Sequence, residues 1–373
     1  MFRTALASGL AVFASADVNV DHRALLTGAA EPNRDNLQKI WDQYVDEFKD
    51  IAPIDLSDTQ AHINFFTKLD KIIEHNQMDG RKFDRGLNAF SAMSWEQVKD
   101  HFKFDQQQVN AEQNCSATQR SAPLTANGSS APASWNWQDH GGVSPVKDQG
   151  SCGSCWTFST VGCLESANLI QNSRLVTYSE QQLVDCAQDF DNAGCNGGLP
   201  SHAFEYIFSA GGISTEDAYP YYAKDRPCTV DKDTFRLSVG HSQNITAGDE
   251  DELKEAVYNQ PVSVAFQVAD DFDSYSNGTY TSTVCNNTAA DVNHAVLAVG
   301  YGTDDNGVKY WLIKNSWGTK WGMDGFFQIE RGVNMCGIAQ CNSYPEAVAE
   351  INSNNFIKVT PNTPEPEIQF LNQ

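Results

Sequence analysis

Ten cysteines behind an N-terminal export signal constrain this 373-residue chain more than any other feature. Met1-Phe2-Arg3 leads into the apolar stretch from Ala5 to Phe13, and Ala14-Ser15-Ala16 before Asp17 has the small-x-small form of a cleavage site. A secretory signal peptide over 1–16 is therefore expected; a buried N-terminal helix is the alternative. Disulfides persist in oxidising compartments, so a covalent framework is expected, although counting cysteines cannot fix its connectivity. Five sequons, at Asn114, Asn127, Asn244, Asn277 and Asn286, are candidate glycosylation sites of the same route, with Asn244 in the most polar surroundings. The secretory pathway, ending in a lysosome, a vacuole or outside the cell, is the expected location. No later segment has the ~18 uninterrupted apolar residues of a membrane span. A formal charge of -23 disfavours nucleic acid and anionic membranes as partners. In an acidic vesicle carboxylates would protonate and that self-repulsion would fall.

The pattern changes along the chain. From about 33 to 104 the spacing is helical, with one apolar stripe of Leu37, Ile40, Trp41, Tyr44 and Phe48 and another of Ile63, Phe66, Leu69, Ile72 and Ile73. Between Gln106 and Pro132 large apolar residues nearly vanish, which predicts an exposed linker open to cutting. Residues 132–345 are dense in Trp, Tyr, Gly and Cys. A helix is predicted from Cys155 with Trp156, Cys163, Ala167 and Ile170 on one face, a second from a capping box at Ser179-Glu180-Gln181-Gln182, and a third from Leu199 to Ala210. After Pro261 strands follow: Val262 to Val268, His294 to Tyr301, Tyr310 to Lys314 and Phe326 to Glu330, with Asp305-Asn306-Gly307 as a turn. Residues 346–373 read as a flexible tail.

The chemistry gathers at Gln149-Gly150-Ser151-Cys152-Gly153-Ser154-Cys155-Trp156. A thiol at a helix N-terminus is pushed toward the thiolate, the nucleophilic form, and a neighbouring imidazolium pushes it further. Cys152 and Cys155 could instead form a redox pair or half a zinc site, but no second Cys-x-x-Cys and no His pair at ligand spacing accompanies them. His294 and Asn315 lie 139 and 160 residues after Cys155. Alone, His294 in an alternating strand would read as a core histidine.

With these residues in place, the region from Pro132 to Pro345 resembles the papain family of cysteine peptidases, whose signature is a Cys-Gly-Ser-Cys-Trp string with His and Asn far downstream. The resemblance implies an α+β, papain-like two-domain fold: a helical left domain with Cys155, a β-barrel-like right domain with His294 and Asn315, and a cleft between them. Cys155 would attack the scissile carbonyl, His294 would pair with the thiolate and protonate the leaving amine, and Asn315 would orient the imidazole under the shield of Trp317. Gln149 and the backbone N–H of Cys155 would bind the oxyanion. Gly197 and Gly198 would pair with the substrate backbone, and Leu199, Pro200, Ala265, Val292 and Cys341 would surround the specificity pocket. No cofactor and no metal are implied. Peptide and protein substrates, the chain's own propeptide and cystatin-like inhibitors are the implied partners.

The resemblance also suggests the bridges Cys152 to Cys195, Cys186 to Cys228 and Cys285 to Cys336, with Cys163 a buried hydrophobe and Cys115 left to pair with Cys341. Gln113-Asn114-Cys115-Ser116-Ala117-Thr118 is similar to the mini-chain of the cathepsin H branch, a propeptide fragment that fills the non-primed cleft. Plain linker sequence is the alternative. Such a plug rejects internal segments while a carboxylate at Thr118 would hold a substrate's free ammonium, which implies an aminopeptidase. An endopeptidase of the same family and a catalytically silent binding homologue are the other readings. The expected division is thus signal peptide 1–16, inhibitory and mainly helical propeptide 17–110, mini-chain 111–118, linker 119–131, peptidase domain 132–345 and tail 346–373. In the propeptide, Phe65, Ile72 and Asn76 keep the family's helix spacing, whereas Ser57, Ala61 and Lys68 replace its usual Glu, Arg and Asn, and Gly86 to Ala92 lacks a final Asp.

Overall fold

The structure, a computed structural model, describes residues 34–104, 115 and 131–351. The signal peptide, Asn114, Thr118, Asn127, the rest of 105–130 and the tail beyond 351 lie outside the described residues.

Helix α1 (Arg34–Phe48) buries Ile40, Trp41, Tyr44 and Phe48, as the apolar stripe requires. In α2 (Thr59–Asn76), started by the Asp58 side chain accepting from the Gln60 N–H, the buried face is Ala61, Phe65, Leu69, Ile72 and Asn76. The predicted stripe is thus rotated: Ile63 is 51% exposed, because Phe65 is the residue that packs on Trp41 and Tyr44, at ring separations of 5.0 and 4.6 Å. Asn76 then exchanges two hydrogen bonds with the backbone of Arg85 and so docks β1 (Phe83–Arg85), which pairs antiparallel with the strand Tyr275–Tyr280 of the main domain. Helix α3 (Trp95–Phe102) opens with a complete capping box between Ser94 and Gln97.

The main domain starts with β2 (Trp135–Asn136) and reaches α4 (Cys155–Asn172). The sequence predicts one apolar face for α4, yet every residue from Cys155 to Asn168 is buried, because the helix runs between two cores. Helix α5 (Glu180–Cys186) forms only half of its predicted capping box. Ser179 Oγ accepts from the Gln182 N–H, but the Gln182 side chain turns away to Ser214, Gly212 and Tyr206. Helix α6 (Pro200–Ala210) carries Pro in its first turn and ends at Gly211, whose φ of +92° suits glycine.

Short strands β3 (Ile213–Ser214), β4 (Phe235–Val239) and β5 (Ser242–Asn244) follow, then α7 (Glu250–Asn259). This helix was not foreseen. Its start is acidic rather than apolar, with the Asp249 cap and Glu250, Asp251 and Glu252 favourably at the positive end of the helix dipole. The second half is a long sheet made of β6 (Val262–Phe266), β7 (Tyr275–Tyr280), β8 (His294–Thr303), β9 (Lys309–Lys314), β10 (Phe326–Glu330) and β11 (Ser343–Pro345), in the order β1-β7-β10-β9-β8-β6-β11-β5. β10 pairs parallel with β7 and the other neighbours are antiparallel. Strand β8 is buried on both faces from His294 to Gly302. Ala295, Leu297 and Val299 enter the core of the helical half with Trp156, Leu164 and Phe204, while Val296 and Ala298 enter that of the sheet half with Phe266, Trp311 and Phe327.

The predicted tail starts too early. Val348–Glu350 forms β12, which pairs antiparallel with Leu237 to Val239 of β4, and Glu350 binds Arg174 at 3.0 Å. Four disulfides join Cys115 to Cys341, Cys152 to Cys195, Cys186 to Cys228 and Cys285 to Cys336. Of the sequons within the described residues, Asn277 and Asn286 are exposed, whereas Asn244 is half-buried in β5 opposite Ser343. Its polar neighbourhood in sequence is one strand of a pair in space.

The N-terminal segment is held to the main domain by ion pairs as well as by β1. Lys68 reaches Asp273 in a nearly dry contact, and Lys82 reaches Glu330 at 3.1 Å. Removing one partner of a buried pair strands the other charge and costs about 3–5 kcal/mol. Lys68→Met should therefore raise hydrogen exchange of residues 59–104 in the full chain by about a hundredfold or more, and unchanged protection would show that the pair does not hold the segment.

Candidate active site

The loop from Gln149 to Ser154 delivers Cys155 to the first position of α4. Ser154 is the cap residue and makes no side-chain cap bond, so the helix presents its uncapped N-terminal amides around the thiol. Cys155 Sγ accepts from the Ala295 N–H at 3.5 Å, which sets the sulfur against the residue that follows His294. Cys155 and Cys163 are the two cysteines outside the bridges. They differ in setting: Cys163 donates to the Pro261 carbonyl at 3.1 Å, and burial pushes its thiol up to about 12, which leaves it inert.

His294 opens β8 and is completely enclosed. Its Nε2–H donates to Asn315 Oδ1 at 2.8 Å, while Nδ1 makes no hydrogen bond among the described residues. Asn315 Oδ1 also accepts from the Ser316 N–H at 2.8 Å, so the amide is fixed from two sides. Trp317 stacks over the imidazole, with ring centroids 5.0 Å apart and planes 29° apart, and keeps water from the His294–Asn315 bond. Burial lowers the His294 pKa to about 4, against the opposing effect of the Asn315 bond.

Part of that burial comes from the N-terminal segment. Phe102 stacks on Trp317 at 4.6 Å, Phe90 meets it edge-on at 5.8 Å, and Phe104 meets His294 edge-on at 5.8 Å. Lys103, in the left-handed conformation, turns the chain against the loop before Cys155. A Cβ at Gly153 would lie 2.9 Å from Lys103 Cβ and 2.5 Å from the Cys195 carbonyl, so only glycine fits there.

Gln149 is fixed through Ser316, whose Oγ donates to Oε1 at 2.7 Å, and its Nε2 donates to the Cys152 carbonyl at 2.9 Å, leaving a second N–H on the same nitrogen. On the other wall, Gly198 lies flat on the Trp156 indole, where a Cβ would come within 2.7 Å of the ring. Gly197, Gly198 and Leu199 are set by Asn192, which sequence reading missed: its Oδ1 accepts from the Leu199 N–H at 2.9 Å and its Nδ2 donates to the Ala187 carbonyl. Ala265 and Val292 form one buried cluster with Cys341 and the bridged Cys115. Pro200 starts α6, and the next residue, Ser201, donates its hydroxyl to the Cys115 carbonyl at 3.2 Å. Thr118 lies outside the described residues.

A thiol at a helix N-terminus, an imidazole oriented by an amide and shielded by an indole, and a side-chain amide beside the thiol loop form the constellation of nucleophilic acyl transfer. Comparison with known proteins agrees. Residues 131–346 match the model of the papain family cysteine proteases. The chain is 49% identical to pro-cathepsin H of Medicago truncatula over 291 residues, which is 78% of this chain and 81% of that protein. It is 51% identical to the thiol protease aleurain of Arabidopsis thaliana (74% and 75% covered) and 52% identical to pro-cathepsin H of Mus musculus (74% and 80%). Among solved structures, procathepsin L 3 of the Tenebrio molitor larval midgut has a TM-score of 0.73 at 35% identity, covering 83% of this chain and 98% of that one. The proform of the ragweed pollen cysteine protease Amb a 11 has a TM-score of 0.75 at 32% identity, covering 89% and 90%.

The chain belongs to the papain family of cysteine peptidases, and its fold is that of a proform.

The low pKa of His294 makes closure of the proform pH-dependent. Enclosed, the imidazole has its pKa lowered to about 4; opening removes the part of that burial that Phe104 and the neighbouring rings of the segment supply, so the pKa moves up toward the ordinary histidine value. The open form therefore binds more protons in this range, so closure is strongest near neutral pH and weakens as the pH falls toward about 4. In a full-length Cys155→Ser chain, which lacks the thiol, tryptophan fluorescence should report release of Phe102 from Trp317 across that window. His294→Ala should remove this part of the profile, and identical profiles with and without His294 would refute the linkage.

Proposed function

We propose that the mature enzyme hydrolyses peptide bonds through a Cys155 thiolate and a His294 imidazolium, forming an acyl-enzyme, and that it works mainly as an aminopeptidase. Asn315 accepting from Nε2 leaves Nδ1 as the nitrogen to exchange a proton with the thiol and then with the leaving amine. The Gln149 carboxamide and the Cys155 backbone N–H serve as oxyanion donors, and Gly197 and Gly198 offer backbone to an extended substrate. Residues 17–110 act as the inhibitory propeptide, and the contacts of Phe102 and Phe104 with Trp317 and His294 support this.

The observation that carries the aminopeptidase reading is the Cys115–Cys341 bridge beside Ala265 and Val292. Through it, a segment around Cys115 would stay attached after the flanking chain is cut and would occupy the cleft on the acyl side. Residues 111–118 then form the mini-chain, with the carboxylate of Thr118 pairing with the substrate's free ammonium. A lysosome or vacuole, whose acidity would loosen the proform as above, is the working location. Cut segments 119–131, cystatin-like inhibitors as partners and glycans at Asn277 and Asn286 belong to the same reading.

Paired fluorogenic substrates, one with a free and one with a blocked N-terminus, separate the two activities. The processed enzyme should favour the free amine by about tenfold or more, the worth of one charge pair near 1.4 kcal/mol. Cys115→Ser, which frees the segment, should erase that preference and raise cleavage of the blocked substrate. Equal cleavage of both by the unaltered enzyme would instead identify an endopeptidase.

A further inference from the structure

The loop from Gln149 to Ser154 has to keep two donors at a set separation, the Gln149 side-chain amide at one end and the Cys155 backbone N–H at the other. An oxyanion is bound only if each donor lies about 2.7–3.1 Å from it. Two of the intervening residues are glycines, one of them, Gly150, at φ +58°, so the loop's own backbone preferences are weak. Its fastenings act locally. Ser316 holds Gln149 through a backbone and a side-chain bond, and Cys195 holds the stretch at Cys152 and Gly153 through the disulfide and a 2.8 Å backbone bond.

Tyr221 touches both ends at once. Its hydroxyl donates to the Gln149 carbonyl at 2.8 Å and lies 2.5 Å from Ser154 Oγ, on the residue just before Cys155. A carbonyl can only accept, so the single phenolic proton goes to Gln149, and Ser154 must donate to the phenolic oxygen. Tyr221 is itself anchored: its backbone N–H donates to Glu216 Oε1 at 2.7 Å, and its ring meets Phe158 of α4 edge-on at 5.0 Å. Burial raises the phenol's pKa well above its ordinary value, so the donor persists at every working pH.

We propose that Tyr221 is a positioning residue of the catalytic site, a strut that spans the loop and sets the distance between its two oxyanion donors. The proposal rests on the assignment of Gln149 and the Cys155 N–H as those donors. An ångström of misplacement in a catalytic group costs on the order of a hundredfold in rate. Tyr221→Phe, which keeps the ring, should lower kcat on a peptide amide about 10- to 100-fold with KM nearly unchanged. A peptide aldehyde, whose adduct with Cys155 places an oxygen at the oxyanion position, should bind weaker by a similar factor. Alkylation of Cys155 by chloroacetamide, which builds no oxyanion there, should keep its rate and its pH profile. Ser154→Ala should give the same pattern more weakly, and it carries the test if Tyr221→Phe does not fold. Unchanged kcat and aldehyde affinity, or a parallel loss of all three, would overturn the proposal. Gln149→Ala separates it from its premise. If that variant keeps its aldehyde affinity, the donor assignment fails; if it loses affinity while Tyr221→Phe does not, the strut alone fails.

Discussion

The site depends on one buried carboxylate, Glu165, nearly three turns along the helix that begins at Cys155. An ionised group without water must be paired on the spot. Here Lys147 donates to it at 2.7 Å, the Ser144 hydroxyl at 2.5 Å and the Tyr178 N–H at 3.1 Å. Lys147 also binds Glu180 at 2.7 Å, and Lys314, next to Asn315, donates to Ser144 at 2.9 Å. The cluster therefore ties α4, the chain leading to Gln149 and the strand that ends just before Asn315 into one rigid object. Burial raises the Glu180 pKa and lowers that of Lys314, while the two carboxylates overcome burial at Lys147 and raise its pKa. Replacing any one member would leave a charge in the seam between the two cores, which is why so polar a group persists there.

The N-terminal segment uses the same seam from outside. It sets Phe102 against Trp317 and Phe104 against His294, so covering the site and suppressing the imidazolium are two results of one contact. Aromatic packing supplies the grip at the cleft, and ion pairs supply it farther away, where Lys68 stands in place of the family's usual Asn and finds Asp273. At this departure from the motif the two parts of the chain meet.

Much of the site was legible in the sequence because its chemistry is local or strongly spaced. The Gly-rich approach to Cys155, the strand-like run that begins at His294 and the spacing of Asn315 and Trp317 each announce a geometry that one stretch of chain can build. Asn192 gave no such signal, since it works by binding the backbone of Ala187 and Leu199 across an irregular loop, and neither did the Ser316 hydroxyl, whose partner Gln149 is distant in sequence. Ile63 was read as core because it kept helical spacing, whereas the packing of Phe65 on Trp41 and Tyr44 decides which side of α2 faces in. Gln182 had the right spacing for a capping box, but a burial site with three better partners outbid the cap. α7 was missed for a different reason: its signal is charge at a helix start, not apolar period.

The two end strands have a mechanical consequence. β2, at the front of the main domain, pairs with β8 of the sheet half, and β12, at the rear, pairs with β4 beside the helical half, where Glu350 also grips Arg174. Each end of the main domain is thus buckled across to the half that its neighbours in sequence do not form. Prising the cleft apart would load both buckles together. A molecule belted in this way has little freedom to widen for a bulkier guest, so whatever occupies the groove decides what else can enter it.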